Sequence, residues 1–81
     1  MIATRGSSDD AVGTQLQSLR VFAGLDLEAA AHRMGLSVAT LAAFETGQAR
    51  PIAAAVFAMA DCYAVAPSRV FAIAAGAPEA S

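Results

Sequence analysis

Apolar residues recur along the chain at the spacing of α-helices, three and four positions apart, rather than in the alternation of strands. The first such segment places four apolar residues on one helix face: Val12, Leu16, Leu19 and Ala23. Asp9 or Asp10 can accept hydrogen bonds from the free N–H groups of its first turn, and Gly24 can end it in the left-handed conformation. We predict a first helix from about Asp9 onward, preceded by a flexible N-terminus of residues 1–8.

Two short helices follow, each with its own start and stop signals. Asp26 is a candidate N-cap for a helix over about 27–34, and Gly35 ends it. Ser37 is the candidate N-cap of the next helix, over about 38–45. The apolar positions of this pair fall at helical spacing: Ala30, Ala31, Met34, Leu36, Leu41 and Phe44.

The remaining pattern predicts two more helices. Pro51 favours a new helix start, since its missing N–H would be unpaired there, and the helix runs from about Ile52 to Tyr63. Its inward stripe is Val56, Met59, Ala60 and Tyr63. The last helix starts at Pro67, carries Val70, Phe71 and Ile73, and stops at Gly76, and residues 77–81 read as a flexible C-terminus. The prediction is therefore one all-α domain over 9–76, a compact five-helix bundle.

Composition agrees with this fold class. Of the 81 residues 22 are alanine, the best helix former, and the length suits one small domain. Between Thr14 and Ala75 four arginines balance four acidic residues, and the chain has no lysine, so the basic patch typical of nucleic-acid binders is missing. The longest uncharged stretch, 34–44, is too short to cross a membrane, the N-terminus does not resemble a signal peptide, and Cys62 is the only cysteine. These features predict a cytoplasmic protein with no membrane partner.

The second and third predicted helices carry the clearest motif. Two helices that cross steeply through a short turn need a small side chain where they approach and a turn residue that tolerates positive φ, and Ala31 and Gly35 provide these. With this layout the chain resembles the phage-repressor (Cro-like, XRE-type) helix-turn-helix family. The resemblance extends from about Val12 to Phe71 and rests on these motifs: Val12-Gly13, Leu16-x-x-Leu19-Arg20, Gly24-Leu25, Ala31-x-x-x-Gly35-Leu36-Ser37-x-x-Thr40-Leu41, Glu45-x-Gly47, Pro51 and Val56-x-x-Met59-Ala60-x-x-Tyr63.

The resemblance implies a DNA-binding surface around the third helix. The positions it assigns to DNA are Ser37, Val38, Ala39, Thr40, Ala42, Ala43, Thr46, Gln48 and Arg50. Among the recognition positions Thr40 alone can hydrogen-bond a base, or else it bonds within its own helix. Leu27 stands where the family often has glutamine for a phosphate contact. The resemblance also implies a structural ion pair between Arg20 and Glu45, with no direct part in recognition.

Two functions of different class follow. One is a small DNA-binding transcriptional regulator, acting as a homodimer on an inverted-repeat operator. The other is a protein-interaction module, antiactivator or antitoxin-like, that docks a partner on the apolar face of the third helix. Phe57, Phe71 and Ile73 are candidates for the homodimer interface, or they complete the core. No catalytic set, cofactor motif or metal-ligand spacing is present in the sequence, so we expect no enzyme, no cofactor and no metal.

Overall fold

The helices predicted from the sequence are all present in the computed structural model, which describes the backbone of residues 4–76 and the side chains of residues 10–76. They are α1 (Thr4–Phe22), α2 (Leu27–Met34), α3 (Val38–Glu45), α4 (Ala53–Tyr63) and α5 (Pro67–Ala74). Over residues 4–76 the all-α fold with five helices is confirmed. The predicted flexible C-terminus, 77–81, and residues 1–3 lie outside the described residues.

The cap residues of α2 and α3 behave as predicted. The Asp26 carboxylate accepts a hydrogen bond from the Ala29 amide at 2.8 Å, and the Ser37 hydroxyl accepts one from the Thr40 amide at 3.1 Å. Gly35 ends α2 in the left-handed conformation, with φ of 71°. The bounds of both helices match the prediction because each end is determined by a local signal in the sequence.

The first helix is longer at its start than predicted. It begins at Thr4 and not near Asp9 or Asp10, so residues 4–8 form its first turns. A carboxylate able to cap a helix does not require the helix to start there, and no proline in this segment prevents further backbone hydrogen bonds from forming. At the other end α1 stops at Phe22, so Ala23, predicted to face inward, lies beyond the helix and is exposed.

The core lies where α1 packs against α3 and α5, and where α4 packs against α2 and α5. Its buried apolar residues are Val12, Leu16, Leu19, Ala30, Ala31, Leu41, Phe44, Ala55, Val56, Met59, Ala60, Tyr63 and Val70. Met34, Leu36 and Ile73 are partly buried at its edge. Within the described part of the chain, no helix is both long and apolar enough to span a membrane.

One glycine allows two helices to approach each other closely. Gly13 is buried in α1, where the helix passes over the end of α3. A Cβ atom at this position would lie 2.7 Å from the Glu45 carbonyl carbon and 2.9 Å from the Gly47 amide nitrogen. Because both neighbours are backbone, they cannot move aside as a flexible side chain would, and α1 and α3 can pack this closely only without a side chain at Gly13.

Candidate nucleic-acid interface

A tight turn joins α2 to α3. Gly35 occupies the left-handed region at the end of α2, and the Leu36 amide donates to the Ala31 carbonyl at 2.9 Å, which closes the turn. Ala31 is fully buried on the inner side of α2, where its small side chain leaves room for the neighbouring helix. The sequence prediction for this pair, a small residue followed by a positive-φ glycine, describes the geometry that is present.

An ion pair holds the far end of α3 against α1. Arg20 Nε donates to Glu45 Oε2 at 2.8 Å and Arg20 Nη2 to Glu45 Oε1 at 3.0 Å, a bidentate arrangement. Arg20 Nη1 donates to the Leu25 carbonyl at 2.9 Å. The hydrogen bond to Glu45 raises the pKa of Arg20, and burial opposes it. The ion pair implied by the family resemblance is therefore present, and it connects three segments of the chain.

Two hydroxyl groups lie together at the exposed start of α3. Ser37 Oγ and Thr40 Oγ1 are 2.8 Å apart and share a hydrogen bond, in addition to the bond that Ser37 accepts from the Thr40 amide. Thr40 thus bonds within its own helix, one of the two roles that the sequence left open. A hydroxyl has two acceptor sites and one donor, so this bond does not use the full capacity of the pair.

The outward face of α3 is largely apolar. Val38 and Ala39 are exposed, and Ala42 and Ala43 are partly exposed. Glu45 is the only charged residue in α3, and Arg20 neutralises it. Just beyond α3, Ile52 is 72% exposed at the start of α4. This surface offers methyl groups to a partner, with the hydroxyls of Ser37 and Thr40 at one end.

The loop after α3 supplies the remaining polar positions. The Thr46 hydroxyl donates to the Ala42 carbonyl at 2.9 Å, and Gln48 is exposed. Arg50 is exposed as well, and its Nη1 donates to the Ala74 carbonyl at 2.9 Å, at the end of α5. Arginine often binds the open carbonyls at a helix C-terminus, but no local sequence pattern predicts that this arginine contacts α5.

The structure brings the predicted DNA-contacting residues to one stretch of surface, α3 with its following loop, and each is exposed or partly exposed. Leu27 is partly buried and packs against the core. At the position where the family often has a glutamine for a phosphate contact, this chain therefore has a residue that stabilises the fold.

The three candidate dimer residues do not form one patch. The rings of Phe57 and Phe71 meet edge to face with centroids 5.2 Å apart, and both side chains are exposed. Ile73 lies two positions after Phe71, about 200° around the helix, and lines a groove beside α1 instead. The two-residue spacing already indicates that Phe71 and Ile73 lie on different faces of α5. The structure therefore does not support grouping Ile73 with Phe57 and Phe71.

Five helices with a tight α2–turn–α3 unit and an uncovered α3 define a helix-turn-helix module. Sequence comparison agrees: the pattern that defines the helix-turn-helix domain family matches residues 11–71. This match covers most of the chain, and the chain belongs to that family. Among curated proteins, none is significantly similar to it.

Two solved structures are similar to the whole fold. One is the clp gene regulator ClgR from C. glutamicum, with a TM-score of 0.73 and 22% identity, covering 91% of this chain and 96% of that one. The other is a transcriptional regulator of the HTH_3 family from Vibrio cholerae, with a TM-score of 0.69 and 32% identity. It covers 85% of this chain, which in turn spans only 39% of the Vibrio protein.

Proposed function

We propose that the chain is a DNA-binding transcriptional regulator that inserts α3 into the major groove. The observation behind this proposal is how α3 is held in the fold. The closed turn at Gly35 and the bidentate Arg20–Glu45 pair fix its inner side. Its outer side, from Val38 to Ala43, is not covered by another helix. A rigid helix with a free face is what major-groove recognition requires. Family membership and the two regulators of similar fold support the same function.

The residue types on α3 determine how DNA would be read. Ser37 and Thr40 lie at the helix N-terminus, where hydroxyls and free amides suit a phosphate group. Thr46, Gln48 and Arg50 follow the other end of α3 and would supply further contacts to the DNA phosphates. Val38, Ala39, Ala42 and Ala43 can contact thymine methyl groups but cannot hydrogen-bond base edges. Sequence preference would therefore come from thymine positions and from DNA shape.

An acidic side chain on the free face of α3 tests this proposal. Ala39→Glu places a carboxylate where α3 would meet DNA, and because Ala39 is exposed the fold does not have to accommodate it. We expect DNA affinity to fall at least about tenfold through repulsion from the phosphates. The matched control is Gln17→Glu, which adds the same charge at an exposed position on α1. Equal affinities of the two variants, measured by fluorescence anisotropy, would contradict the assignment of α3.

We also propose that the regulator acts as a homodimer through the face formed by Phe57 and Phe71. Two copies related by a two-fold axis would present their α3 helices to successive major grooves about 34 Å apart. Phe71→Glu is expected to convert the dimer into a monomer in sedimentation equilibrium, since it buries a charge in an apolar contact. Gln17→Glu again serves as control, and circular dichroism verifies the fold. An unchanged mass for Phe71→Glu would remove this face from the interface.

A second candidate function has specific support in the structure. The uncharged face of α3 and the exposed Ile52 also suit a protein partner that covers apolar surface. In that case the chain would be an antiactivator or antitoxin-like module without DNA readout. Both functions act by binding, so we propose no catalysis, and the cytoplasmic location stays a prediction from the sequence.

A further inference from the structure

We propose that the groove between α1 and α5 is a binding site for a small amphipathic carboxylate, such as a medium-chain fatty acid. This inference goes beyond DNA binding and does not depend on it. The groove is open along one side and has a volume of about 600 Å³. Ligand sites in proteins typically measure about 300–1,000 Å³, so the groove has the capacity for one such molecule.

The walls of the groove suit an acyl chain. Six apolar residues line it: Leu19 and Phe22 of α1, Ala23, Ala64, Val65 and Ile73. Tyr63 also lines the groove, and its hydroxyl is buried without a hydrogen-bond partner among the described residues. Burial raises the pKa of this hydroxyl, so it stays protonated and adds no charge. An alkyl chain that lies against Tyr63 therefore desolvates no charge at that position.

Phe22 gives the groove an exposed aromatic wall. It is the last residue of α1, and the residue is 94% exposed although it forms part of the groove wall. A ligand chain in the groove would cover one face of the ring, and removing aromatic surface from water is favourable.

Charge selects the head group of the ligand. Among the described residues that line the groove, Arg69 alone is charged, and Gln15, Ser18 and Tyr63 are polar and neutral. Arg69 is exposed and forms no ion pair with any residue in the described part of the chain. It lies in the first turn of α5, which holds no acidic residue and has no side-chain cap. A planar guanidinium beside an uncapped helix start favours a carboxylate over a neutral or cationic head group.

The test compares three ligands that share one chain and differ in charge: octanoate, 1-octanol and octylammonium. Octanoate and octylammonium are titrated below their micelle concentrations, and 1-octanol below its solubility limit, into the 81-residue chain without DNA. Binding is followed by amide NMR shifts. We expect octanoate to shift the amides of Leu19, Phe22, Val65 and Ile73. It should bind about 1.5-fold to fivefold more tightly than 1-octanol, the range of an exposed ion pair. Octylammonium should bind more weakly than either.

Two variants and a control locate the contact. Arg69→Gln should bring octanoate down to the affinity of 1-octanol and leave 1-octanol unchanged. Arg33→Gln removes the same charge from an exposed site on α2 and should change the affinity for neither octanoate nor 1-octanol. Ala23→Trp, at an exposed position in the groove wall, should fill the groove and abolish binding of both.

Three outcomes would overturn the proposal. The first is equal affinity for octanoate and 1-octanol in the natural chain, and the second is shifts confined to α3. The third is a dimer in sedimentation that Phe22→Ser dissociates, which would assign the groove to a second copy of the chain. Because no DNA is present, none of these outcomes tests the regulator function, and failure of DNA binding would leave this site unaffected.

Discussion

Replacing Arg20 by methionine is expected to lower the free energy of unfolding by about 3–5 kcal/mol, the cost of removing one member of a buried ion pair. Methionine keeps the length of the aliphatic stem and removes the charge. The side chains of Arg20 and Glu45 are only 11% and 5% exposed, so Glu45 would be left as a buried carboxylate without its partner. The Leu25 carbonyl would lose its donor at the same time.

The burial of the Arg20–Glu45 pair determines how much stability Arg20→Met loses. An exposed ion pair contributes only about 0–1 kcal/mol, so a loss of that size on urea denaturation would show that water reaches the pair and would contradict this account. Arg33→Met is the control, since Arg33 is exposed on α2, and it should change stability by no more than about 0.5 kcal/mol. The double variant Arg20→Met with Glu45→Leu should recover much of the loss, because no buried charge then remains.

Gly13→Ala is expected to destabilise the protein by about 1–3 kcal/mol, the typical cost of overpacking, even though alanine is the better helix former. In an open helix this substitution would stabilise by about 1 kcal/mol. Here the new Cβ would lie 2.7 Å from the Glu45 carbonyl carbon, so α1 must move away from the end of α3. The same movement would strain the Arg20–Glu45 pair, which joins these two helices.

The control for this prediction is Thr14→Ala, at the next position of α1, where the side chain is exposed. It should leave the midpoint of thermal unfolding unchanged or raise it slightly, since alanine has the higher helix propensity. A stabilising effect of Gly13→Ala, measured by the same thermal unfolding, would show that α1 does not approach α3 as closely as described.

Features determined by neighbouring residues were predictable from the sequence. Asp26, Gly35 and Ser37 each act on the turn beside them, so α2 and α3 have the predicted bounds. The start of α1 was not predictable in this way, because Asp9 and Asp10 can cap a helix without having to. For most apolar positions the helical spacing predicted burial correctly. The predicted burial of Ala23 was wrong because α1 ends one residue earlier.

Features that depend on contacts between distant parts of the chain were mostly not predictable from the sequence. The bond from Arg50 to the Ala74 carbonyl joins positions 24 residues apart, and no local pattern encodes it. Gly13 stands in the family motif, but its role as a close-approach site depends on how α1 crosses α3. The groove beside Phe22 arises from the packing of α1 on α5 and has no signature in either helix alone.

The candidate site shows the same division. The surface position of the residues around α3 follows from the helix-turn-helix layout, which the spacing of Ala31 and Gly35 indicated. The partner of this surface does not follow from the layout, because function depends on the residues mounted on a fold. Val38 and Ala39 can meet thymine methyls or an apolar protein surface equally well.

The most direct test of the central claim is a selection experiment. The purified full-length protein is used to select fragments from a random double-stranded DNA library at about physiological salt, with Ala39→Glu selected in parallel. The proposed function predicts that one inverted repeat is enriched, with half-sites about one helical turn apart, and that Ala39→Glu loses the enrichment. Absence of enrichment, or equal enrichment by both proteins, would contradict DNA reading by α3 and favour a protein partner on the same face.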